Sequence, residues 1–343
     1  MKVMVNHFWP RSLLLGLIIG LSLLALLFSQ LNLRQAWQTL TRLDGRHFLL
    51  PLLVTTGAIF LRPWRWHAIF PPDARPNFLS CFSVMWVGNM TNNFLPGRGG
   101  DLLRCFMVTR QTSLTRASLV LATLGLEKVL DGLALLTVVL FSFWFFSPPQ
   151  WLRQLELASG LTFAGTLTIL MLLRYRTAWF LAQMRSLFQK VHLEALGEKV
   201  VTLFAHFAEG LSILSSFQQG TKVIGLTIVV WAAEAMLIWG LAMALQIPLS
   251  LPAAVVVSAV LGLGLMIPAA PGSIGTYEFF SVIGLRLFGV GSESAFALTL
   301  VMHAWSFLAT TSIGLIGILI SGINFSQLIS GHNRQQAKGG GQL

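Results

Sequence analysis

The chain has 343 residues, of which 55% are hydrophobic and only 10% are charged, and its formal net charge is +11. Soluble domains carry about 25% charged residues, so this composition excludes a single water-soluble domain and predicts an integral membrane protein. The basic residues lie in short stretches between apolar segments. This excludes a nucleic-acid-binding domain and indicates the positive-inside pattern, with anionic lipid headgroups as neighbours.

The apolar segments begin close to the N-terminus, where the short basic stretch 1–11 precedes a mostly apolar segment at 12–29. No small-residue cleavage motif follows it, so we predict an uncleaved first span rather than a removed signal peptide. A spanning helix needs about 20 residues, and the segments 252–267 and 279–290 are too short to cross comfortably alone. The apolar segments in chain order are 12–29, 48–61, 78–95, 117–147, 157–173, 223–245, 252–267, 279–290 and 296–321.

Lysine and arginine orient these segments, because cytoplasmic loops are enriched in both. Placing the basic stretches in the cytoplasm makes 78–116 enter from the cytoplasm and return to it, whereas 252–290 enters from the outside and returns there. The loop 30–47 then lies outside despite its arginines. We therefore predict an all-α polytopic membrane protein with about six full spans, two oppositely oriented re-entrant hairpins and cytoplasmic termini. The basic stretches are the N-terminus, 62–76, 97–116, 174–222 and the C-terminal tail.

Each predicted hairpin contains a break that reads Pro-Gly-x-x-Gly followed by an acidic residue: PGRGGD at 96–101 and PGSIGTYE at 271–278. Matching breaks in two halves are typical of inverted repeats with a binding site between them. A break exposes backbone N–H groups at the start of the next half-helix, where anions bind. With arginine, which binds phosphate bidentately, these groups predict a lipid-phosphate site; the alternative is a cytoplasmic loop whose arginines only set the topology. The predicted phosphate-binding residues are Gly97, Arg98, Gly99, Gly100, Arg104, Gly272 and Gly275.

Five acidic residues lie in or beside apolar segments, where an ionised carboxylate costs at least about 2.5–3.5 kcal/mol and usually faces a partner or a cavity. Glu127 and Asp131 share one helix face, beside Lys128, and Glu234 lies near the middle of 223–245. We predict that these carboxylates balance a cationic headgroup or carry coupling protons. The alternatives are a structural ion pair that holds the first hairpin and a protonated, hydrogen-bonded Glu234. The set is Asp101, Glu127, Asp131, Glu234 and Glu278.

The basic region 174–222 has a different pattern. Apolar residues recur at helical spacing over 177–215 with charged residues between them, and Gly197 separates two runs. This indicates amphipathic helices on the cytoplasmic membrane face, or helices packed on the spans. We predict one transmembrane domain over 1–325 and a disordered polar tail over 326–343.

The sequence contains no pattern typical of a metal, redox or nucleotide site. Its two cysteines, Cys81 and Cys105, lie in apolar neighbourhoods, and no CxxC or His-rich spacing occurs. A P-loop and a GxGxxG followed by an acidic residue are absent as well. A lone helical histidine such as His303 is more often packed than a ligand. We therefore predict no cofactor, no metal and no nucleic-acid partner.

Three blocks of the sequence resemble the signature blocks of the lysylphosphatidylglycerol synthase transmembrane family, also called flippase-like proteins. The blocks are NFLPGRGGDLLR at 93–104, EKVLD at 127–131 and PGSIGTYE at 271–278. The resemblance covers about residues 10–325. Family members usually have glutamate where Asp101 stands and arginine where Lys128 stands. Both differences keep the charge, but lysine lacks the planar fork that a bidentate contact needs.

The resemblance implies lipid handling, because family members are similar to the membrane half of bacterial lysylphosphatidylglycerol synthase-flippases, which moves an aminoacylated phospholipid between leaflets. We expect no counterpart of the soluble aminoacyl-transfer domain. We predict a non-enzymatic translocase or lipid-binding transporter of the inner (plasma) membrane, for an anionic phospholipid or a polyprenyl-phosphate-linked lipid. Two alternatives stay open. One is a glycosyl or acyl transferase with a polyprenyl-phosphate donor and Asp101 or Glu278 as base; the other is a non-catalytic subunit that works with cell-envelope biosynthesis enzymes.

Overall fold

The computed structural model describes residues 17–29, 31–41, 43–95, 99–111, 115–142, 150–211, 217–267 and 270–321. Within these ranges the chain forms thirteen α-helices and no strand, which confirms the predicted all-α class. The predicted tail 326–343 lies outside the described residues. The helices are α1 Leu17–Phe28, α2 Leu33–Leu40, α3 Leu49–Ile69, α4 Phe78–Phe94, α5 Gly99–Gln111, α6 Ala117–Ser142, α7 Gln150–Tyr175, α8 Thr177–Lys190, α9 Glu194–Leu211, α10 Phe217–Ala244, α11 Leu251–Gly264, α12 Thr276–Arg286 and α13 Ser292–Ser321.

The first hairpin consists of α4 and α5, which pack closely because glycine lies on both sides of their contact. A Cβ on Gly100 would lie 1.9 Å from the carbonyl oxygen of Gly88, so the two helices can be this close only because Gly100 has no side chain. Asn92 accepts a hydrogen bond from the Gly100 N–H at 2.8 Å, which ties the start of α5 to the end of α4. This close approach places the Arg104 side chain directly against Gly88.

The second hairpin consists of α11 and α12, joined through a turn that contains the short 3-10 segment Pro271–Ser273. Gly272 has φ 65° and Gly275 has φ 91°, values in the left-handed region that glycine adopts without strain. Gly275 also has no room for a side chain, because a Cβ there would lie 2.1 Å from the carbonyl oxygen of Gly20 in α1. The turn of the second hairpin is therefore pressed against α1.

Helix α13 brings the two hairpins together, since it packs along both α4 and α12. Asn93, near the end of α4, donates from its side chain to Thr311 Oγ1 at 3.0 Å and to the Phe307 carbonyl at 3.4 Å. A Cβ on Gly272 would lie 3.3 Å from the Asn93 carbonyl oxygen. The turn of the second hairpin thus touches the end of α4, where the first hairpin is broken.

Each hairpin contributes to its own apolar core. The first packs with α3 and α6, and the second packs with α10 and α13. Fully buried side chains of the first core include Trp66, Cys81, Val84, Val108 and Val120. Those of the second include Leu241, Ala254, Val257, Leu285 and Leu298.

Helix α3 is longer than the sequence pattern indicated. The predicted apolar segment ended at 61 and a basic loop was expected at 62–76, but the helix continues to Ile69 through Pro63. Proline has no N–H to donate to the carbonyl of Ile59, four residues earlier. The indole N–H of Trp86 in α4 donates to that carbonyl at 3.0 Å. Packing against α4 therefore supports the helix beyond the proline and places Arg65 inside the bundle.

Two other local predictions are wrong. The expected loop 30–47 contains α2, whose start is capped because the Asn32 side chain accepts from the N–H groups of Arg34 and Gln35. The break between α8 and α9 lies at 191–193, whereas Gly197 lies within α9, where its missing side chain makes room for Phe188. The two amphipathic helices exist, and their position on the cytoplasmic face stays a prediction.

Two helices of the described part of the chain, Gln218–Ala244 and Ser292–Ser321, are long and apolar enough to cross a bilayer. The pair α1 and α2, bent by 90°, adds a third if it forms one broken span. These helices agree with a polytopic membrane protein. The number of spans and the inverted repeat stay predictions.

Candidate functional site

Six charged side chains from three helices meet beside the first hairpin, and together they have no net formal charge. Their helix positions explain the meeting: α5 supplies two of them, three residues apart, and α6 supplies three, of which two are four residues apart, so each of these pairs shares a face. Helix α3 supplies the sixth. We call this group the arginine–carboxylate cluster; it consists of Arg65, Asp101, Arg104, Glu127, Lys128 and Asp131.

Glu127 is the centre of the cluster, because each of its carboxylate oxygens binds a different arginine. Oε1 accepts from Arg65 Nη2 at 3.1 Å, and Oε2 accepts from Arg104 Nη2 at 2.9 Å. The side chains of the two arginines are only 2% and 1% exposed. Charges so deeply buried must be compensated by direct pairing, and Glu127 gives both arginines this pairing at once.

Asp131 holds Arg65 from a second side. The two form a double hydrogen bond, with Nη1 on Oδ1 and Nη2 on Oδ2, which is the parallel geometry that a guanidinium and a carboxylate prefer. Trp231 of α10 donates its indole N–H to Asp131 Oδ1 at 3.0 Å. The cluster therefore connects α3, α5 and α6 with α10, whose length and composition suit a membrane span.

Asp101 and Lys128 form the more open side of the cluster. Asp101 lies 3.6 Å from Arg104 Nη1 and 3.8 Å from Lys128 Nζ, distances that allow attraction but exceed those of a hydrogen bond. The side chains of Asp101 and Lys128 are 20% and 38% exposed. Behind them, the Arg104 guanidinium lies 4.1 Å from the centre of the Trp66 ring, in cation–π contact.

The two buried arginines have more donors than their partners use. A guanidinium has five N–H groups, yet Arg104 makes one hydrogen bond within the described part of the chain, to Glu127. The Nε atoms of Arg65 and Arg104 are buried without a hydrogen-bond partner among the described residues. Asp101 Oδ1 is buried in the same condition. The unused N–H donors of the two arginines therefore suit a group rich in acceptor oxygens, whereas Asp101 Oδ1 suits a donor.

A second polar group lies at the turn of the second hairpin. Glu278 accepts the Gly275 N–H on Oε2 at 2.7 Å, and so caps its own helix α12. Its Oε1 is 2.6 Å from Nδ1 of His303 in α13, while Nε2 of the same ring is 2.8 Å from the Gly272 carbonyl oxygen. The imidazole is stacked on Tyr277, with ring centres 4.3 Å apart.

A third group pairs α10 with α3. Glu234 Oε2 accepts from Arg62 Nη2 at 2.5 Å, and both side chains are partly exposed. Arg62 and Arg65 are one helical turn apart, so α3 supplies a counter-charge both to α10 and to the cluster. Within the described ranges, no three His, Cys, Asp or Glu residues are grouped in a way that could hold a metal ion.

The predicted site residues are distributed over these groups as follows. Asp101, Arg104, Glu127 and Asp131 meet in the arginine–carboxylate cluster, Glu278 and Gly272 meet at the second turn, and Glu234 pairs with Arg62. Gly97 and Arg98 lie outside the described residues. The backbone N–H groups of Gly100 and Gly275, predicted to face a phosphate, donate to Asn92 and Glu278. Gly99 begins α5.

Sequence reasoning missed three participants: Arg65, Arg62 and His303, the partner of Glu278. The two arginines were assigned to a loop because apolar residues become fewer after 61. The available signal was the alternation of both arginines with tryptophan in RPWRW at 62–66, a composition that suits the inside of a bundle better than a solvated loop.

Residues 13–314 match the protein family described as "Lysylphosphatidylglycerol synthase TM region". A search of the curated proteins finds no match to this chain.

Proposed function

The chain belongs to the lysylphosphatidylglycerol synthase TM region family, and we propose that it is a translocase for an anionic phospholipid or a polyprenyl-phosphate-linked lipid. The family is a membrane family linked to lysylphosphatidylglycerol synthesis and lipid handling. One observation supports the proposal above the others: two arginines lie fully buried in an apolar helix bundle, and they retain unused hydrogen-bond donors.

The arginines are suited to phosphate because of their geometry. A guanidinium fork binds two phosphate oxygens at once, as it binds the carboxylate of Asp131. In the arrangement described here, Glu127 and Asp131 occupy these forks and neutralise them. A lipid phosphate that enters the cluster replaces one carboxylate on each arginine. It also accepts hydrogen bonds from the two Nε–H groups that have no partner among the described residues. Between transport events the carboxylates neutralise the arginines, which makes the buried charges tolerable.

The exposed fractions of the side chains indicate from which side a lipid headgroup enters the cluster. Lys128 and Asp101 form the accessible edge of the cluster, and the arginines lie behind them. The Lys128 ammonium attracts the incoming phosphate, and Asp101 and Asp131 are left to face any cationic part of the headgroup. A headgroup that combines phosphate with an amine therefore finds both charges matched, whereas a polyprenyl phosphate uses the basic half of the cluster alone.

The arginine side chains of the cluster are almost completely buried, so the cluster must open before a lipid headgroup can reach or leave them. The two hairpins touch where Gly272 meets the Asn93 carbonyl, and α13 contacts both. Rocking one hairpin against the other around this contact exposes the site to one leaflet and then to the other, as in transporters built from repeats. Because α5 carries Arg104 and α3 carries Arg65, a shift of the first hairpin separates the two arginines and releases the headgroup.

The test is leaflet transfer in proteoliposomes that contain this protein alone. Fluorescent phosphatidylglycerol and a labelled polyprenyl phosphate serve as the two probes, and loss of signal to a membrane-impermeant quencher reports transfer. We expect the protein to accelerate transfer of at least one probe and Arg104→Gln to lower that rate about tenfold or more, since one charge-assisted contact contributes about 1.5–3 kcal/mol.

The matched control is Arg185→Gln, which breaks the exposed pair between Arg185 and Glu198 on the amphipathic helices. Its transfer rate should equal that of the unaltered protein. Failure of the protein to move either probe, in vesicles where its insertion is verified, contradicts the proposed function. Equal rates for Arg104→Gln and Arg185→Gln contradict the assignment of the site.

A further inference from the structure

The hydrogen bonds of His303 restrict how many protons the second turn can hold. Both ring nitrogens face oxygen acceptors: Nε2 faces the Gly272 carbonyl at 2.8 Å and Nδ1 faces Glu278 Oε1 at 2.6 Å. A carbonyl oxygen can only accept, so Nε2 must carry a proton. The contact between Nδ1 and the carboxylate needs a second proton, located on one of the two atoms. The pair, which we call the His303–Glu278 dyad, therefore holds two protons and has no net charge.

Loss of one proton makes the two contacts incompatible. If the remaining proton stays on Nε2, the Nδ1 lone pair faces an ionised carboxylate. If it moves to Nδ1, the Nε2 lone pair faces the Gly272 carbonyl. Either way one contact turns from attractive to repulsive, at a distance where an N–H or O–H is required. His303 can bind the Gly272 carbonyl and the Glu278 carboxylate at the same time only while the dyad carries both protons.

The consequence of this loss falls on the turn of the second hairpin. Gly272 touches the carbonyl of Asn93 at the end of α4, and Gly275, whose N–H is bound by Glu278, is pressed against Gly20 of α1. Histidine from α13 is thus the link that holds this turn between the two other helices. We infer that the His303–Glu278 dyad is a proton-operated latch, which closes the turn 270–275 against α4 and α1 when protonated and releases it when one proton leaves.

A second observation supports proton access from within the helix pair α12 and α13. Ser281 lies three residues after Glu278, and Thr299 lies four residues before His303, so both are one turn from the dyad on the facing sides of these helices. Both side chains are completely buried, and neither hydroxyl has a hydrogen-bond partner among the described residues. Each hydroxyl therefore keeps an unused donor and acceptor one helical turn from the dyad, and such a group can pass a proton to or from it.

The surroundings of the dyad contain few other charges. Helices α1, α4 and α11 have no charged side chain in their described ranges, and α2 contributes only the exposed Arg34. Glu234 of α10 acts electrostatically on Tyr277, but its charge is balanced by Arg62. The remaining ionisable groups on the dyad's own helices are Tyr277, Arg286 and Glu293. A single proton on the dyad is therefore the main change of charge at this turn.

The sign of the pH dependence follows directly. At low pH the dyad holds both protons and the latch is closed; as pH rises through the titration of the dyad, one proton leaves and the latch opens. The population of the open state should rise about tenfold per pH unit below the midpoint, which is the slope of one proton. The role of the latch in a transport cycle, in which a proton gradient would drive hairpin movement, rests on the proposed function. The latch itself does not.

Glu278→Gln separates the latch from its proton. The glutamine oxygen can accept from the Gly275 N–H, its amide N–H can donate to Nδ1, and Nε2–H stays on the Gly272 carbonyl. All three hydrogen bonds survive with a neutral imidazole, so no proton has to leave as the pH rises, and the variant imitates the closed latch throughout that rise. His303→Gln is the second variant: it removes the imidazole, and the amide donors of glutamine do not depend on pH, so it decides the question if Glu278→Gln does not fold. Glu293→Gln removes a carboxylate elsewhere on α13 and is the matched control.

The readout is the rate at which a thiol reagent modifies a cysteine placed at the buried position Ala270, in Ala270→Cys. This rate is divided by the rate for Leu102→Cys, an exposed reference, because pH also changes the reactivity of the thiol itself. We expect the ratio to rise with pH, by about tenfold per unit, in the unaltered background and in Glu293→Gln. It should be flat in Glu278→Gln and His303→Gln. A flat ratio in the unaltered background, or an unchanged slope in Glu278→Gln, overturns the latch. The assay needs no lipid, so a failure of leaflet transfer would not affect its result.

Discussion

Arg104 and Glu127 form a fully buried ion pair, Nη2 to Oε2 at 2.9 Å, that ties the second helix of the first hairpin to α6. The same carboxylate also binds Arg65 of α3. One side chain thus fixes the relative position of three helices, and both the stability of the bundle and the geometry of the proposed phosphate site depend on it.

Glu127→Gln should destabilise the protein strongly, because it leaves two buried arginines with less counter-charge. Breaking a buried pair by removing one partner typically costs about 3–5 kcal/mol. Thermal unfolding of the purified protein in detergent, followed by tryptophan fluorescence, should show a clearly lower midpoint. Glu198→Gln is the control, because its partner Arg185 is exposed and the midpoint should barely change. Equal midpoints for the two variants would show that Glu127 is not the centre of the cluster.

Gly100→Ala should prevent correct packing of the first hairpin. The added Cβ would lie 1.9 Å from the Gly88 carbonyl oxygen, a distance that forces α4 and α5 apart and displaces Arg104. We expect loss of both folded yield and lipid transfer. Gly57→Ala is the matched substitution, because a Cβ there meets nothing within 4 Å and alanine is favoured over glycine in a helix by about 1 kcal/mol. A folded, active Gly100→Ala protein would refute the close contact of these helices.

The contact of Asn93 with Thr311 should couple the end of α4 to α13. Asn93→Ala and Thr311→Val each remove one side of the 3.0 Å hydrogen bond, and each should cost about 0.5–1.5 kcal/mol. In the double variant the second substitution should add little, because the bond is already lost. Denaturant unfolding of the four proteins measures this coupling. Strict additivity would mean that the two side chains do not interact.

The inverted repeat predicts that the two hairpins face opposite sides of the membrane. Leu102 on α5 and Ile274 in the second turn both have exposed side chains, so cysteine at either position can react. A membrane-impermeant thiol reagent applied to right-side-out cells should label only Ile274→Cys, and inverted vesicles should label only Leu102→Cys. The native Cys81 and Cys105 are buried and give the background. Labelling of both positions from one side would exclude opposite orientations.

Local spacing was sufficient to predict some of these contacts and insufficient for others. Glu127 and Asp131 are four residues apart, so a shared helix face follows from geometry alone, and both do bind Arg65. The partners of Arg65 could not be assigned from spacing, because its carboxylates lie on another helix, sixty or more positions away in the chain. When no acidic residue lies nearby in the sequence, an arginine of a membrane protein is assigned to a loop, because loops are enriched in basic residues.

The same limit applies to the dyad. Glu278 was a predicted site residue because it follows the break in the second hairpin, but its partner His303 is 25 residues away. A helical histidine gives no local sign of which helix it faces. The break itself was readable, since Gly272 and Gly275 take the left-handed backbone values that Pro-Gly-x-x-Gly suggests. The partners of the backbone N–H groups could not be predicted, because they depend on tertiary packing. The N–H groups of Gly100 and Gly275 donate to Asn92 and Glu278 of the same chain.

The central claim is that Arg65 and Arg104 bind the phosphate of a membrane lipid. Mass spectrometry of the lipid that remains bound to the purified full-length protein tests it most directly. We expect a phosphate-bearing anionic lipid on the unaltered protein and on Arg185→Gln, and a loss of about tenfold or more in its occupancy on Arg104→Gln. Equal occupancy in all three proteins, or retention only of lipids without a phosphate, would contradict the claim.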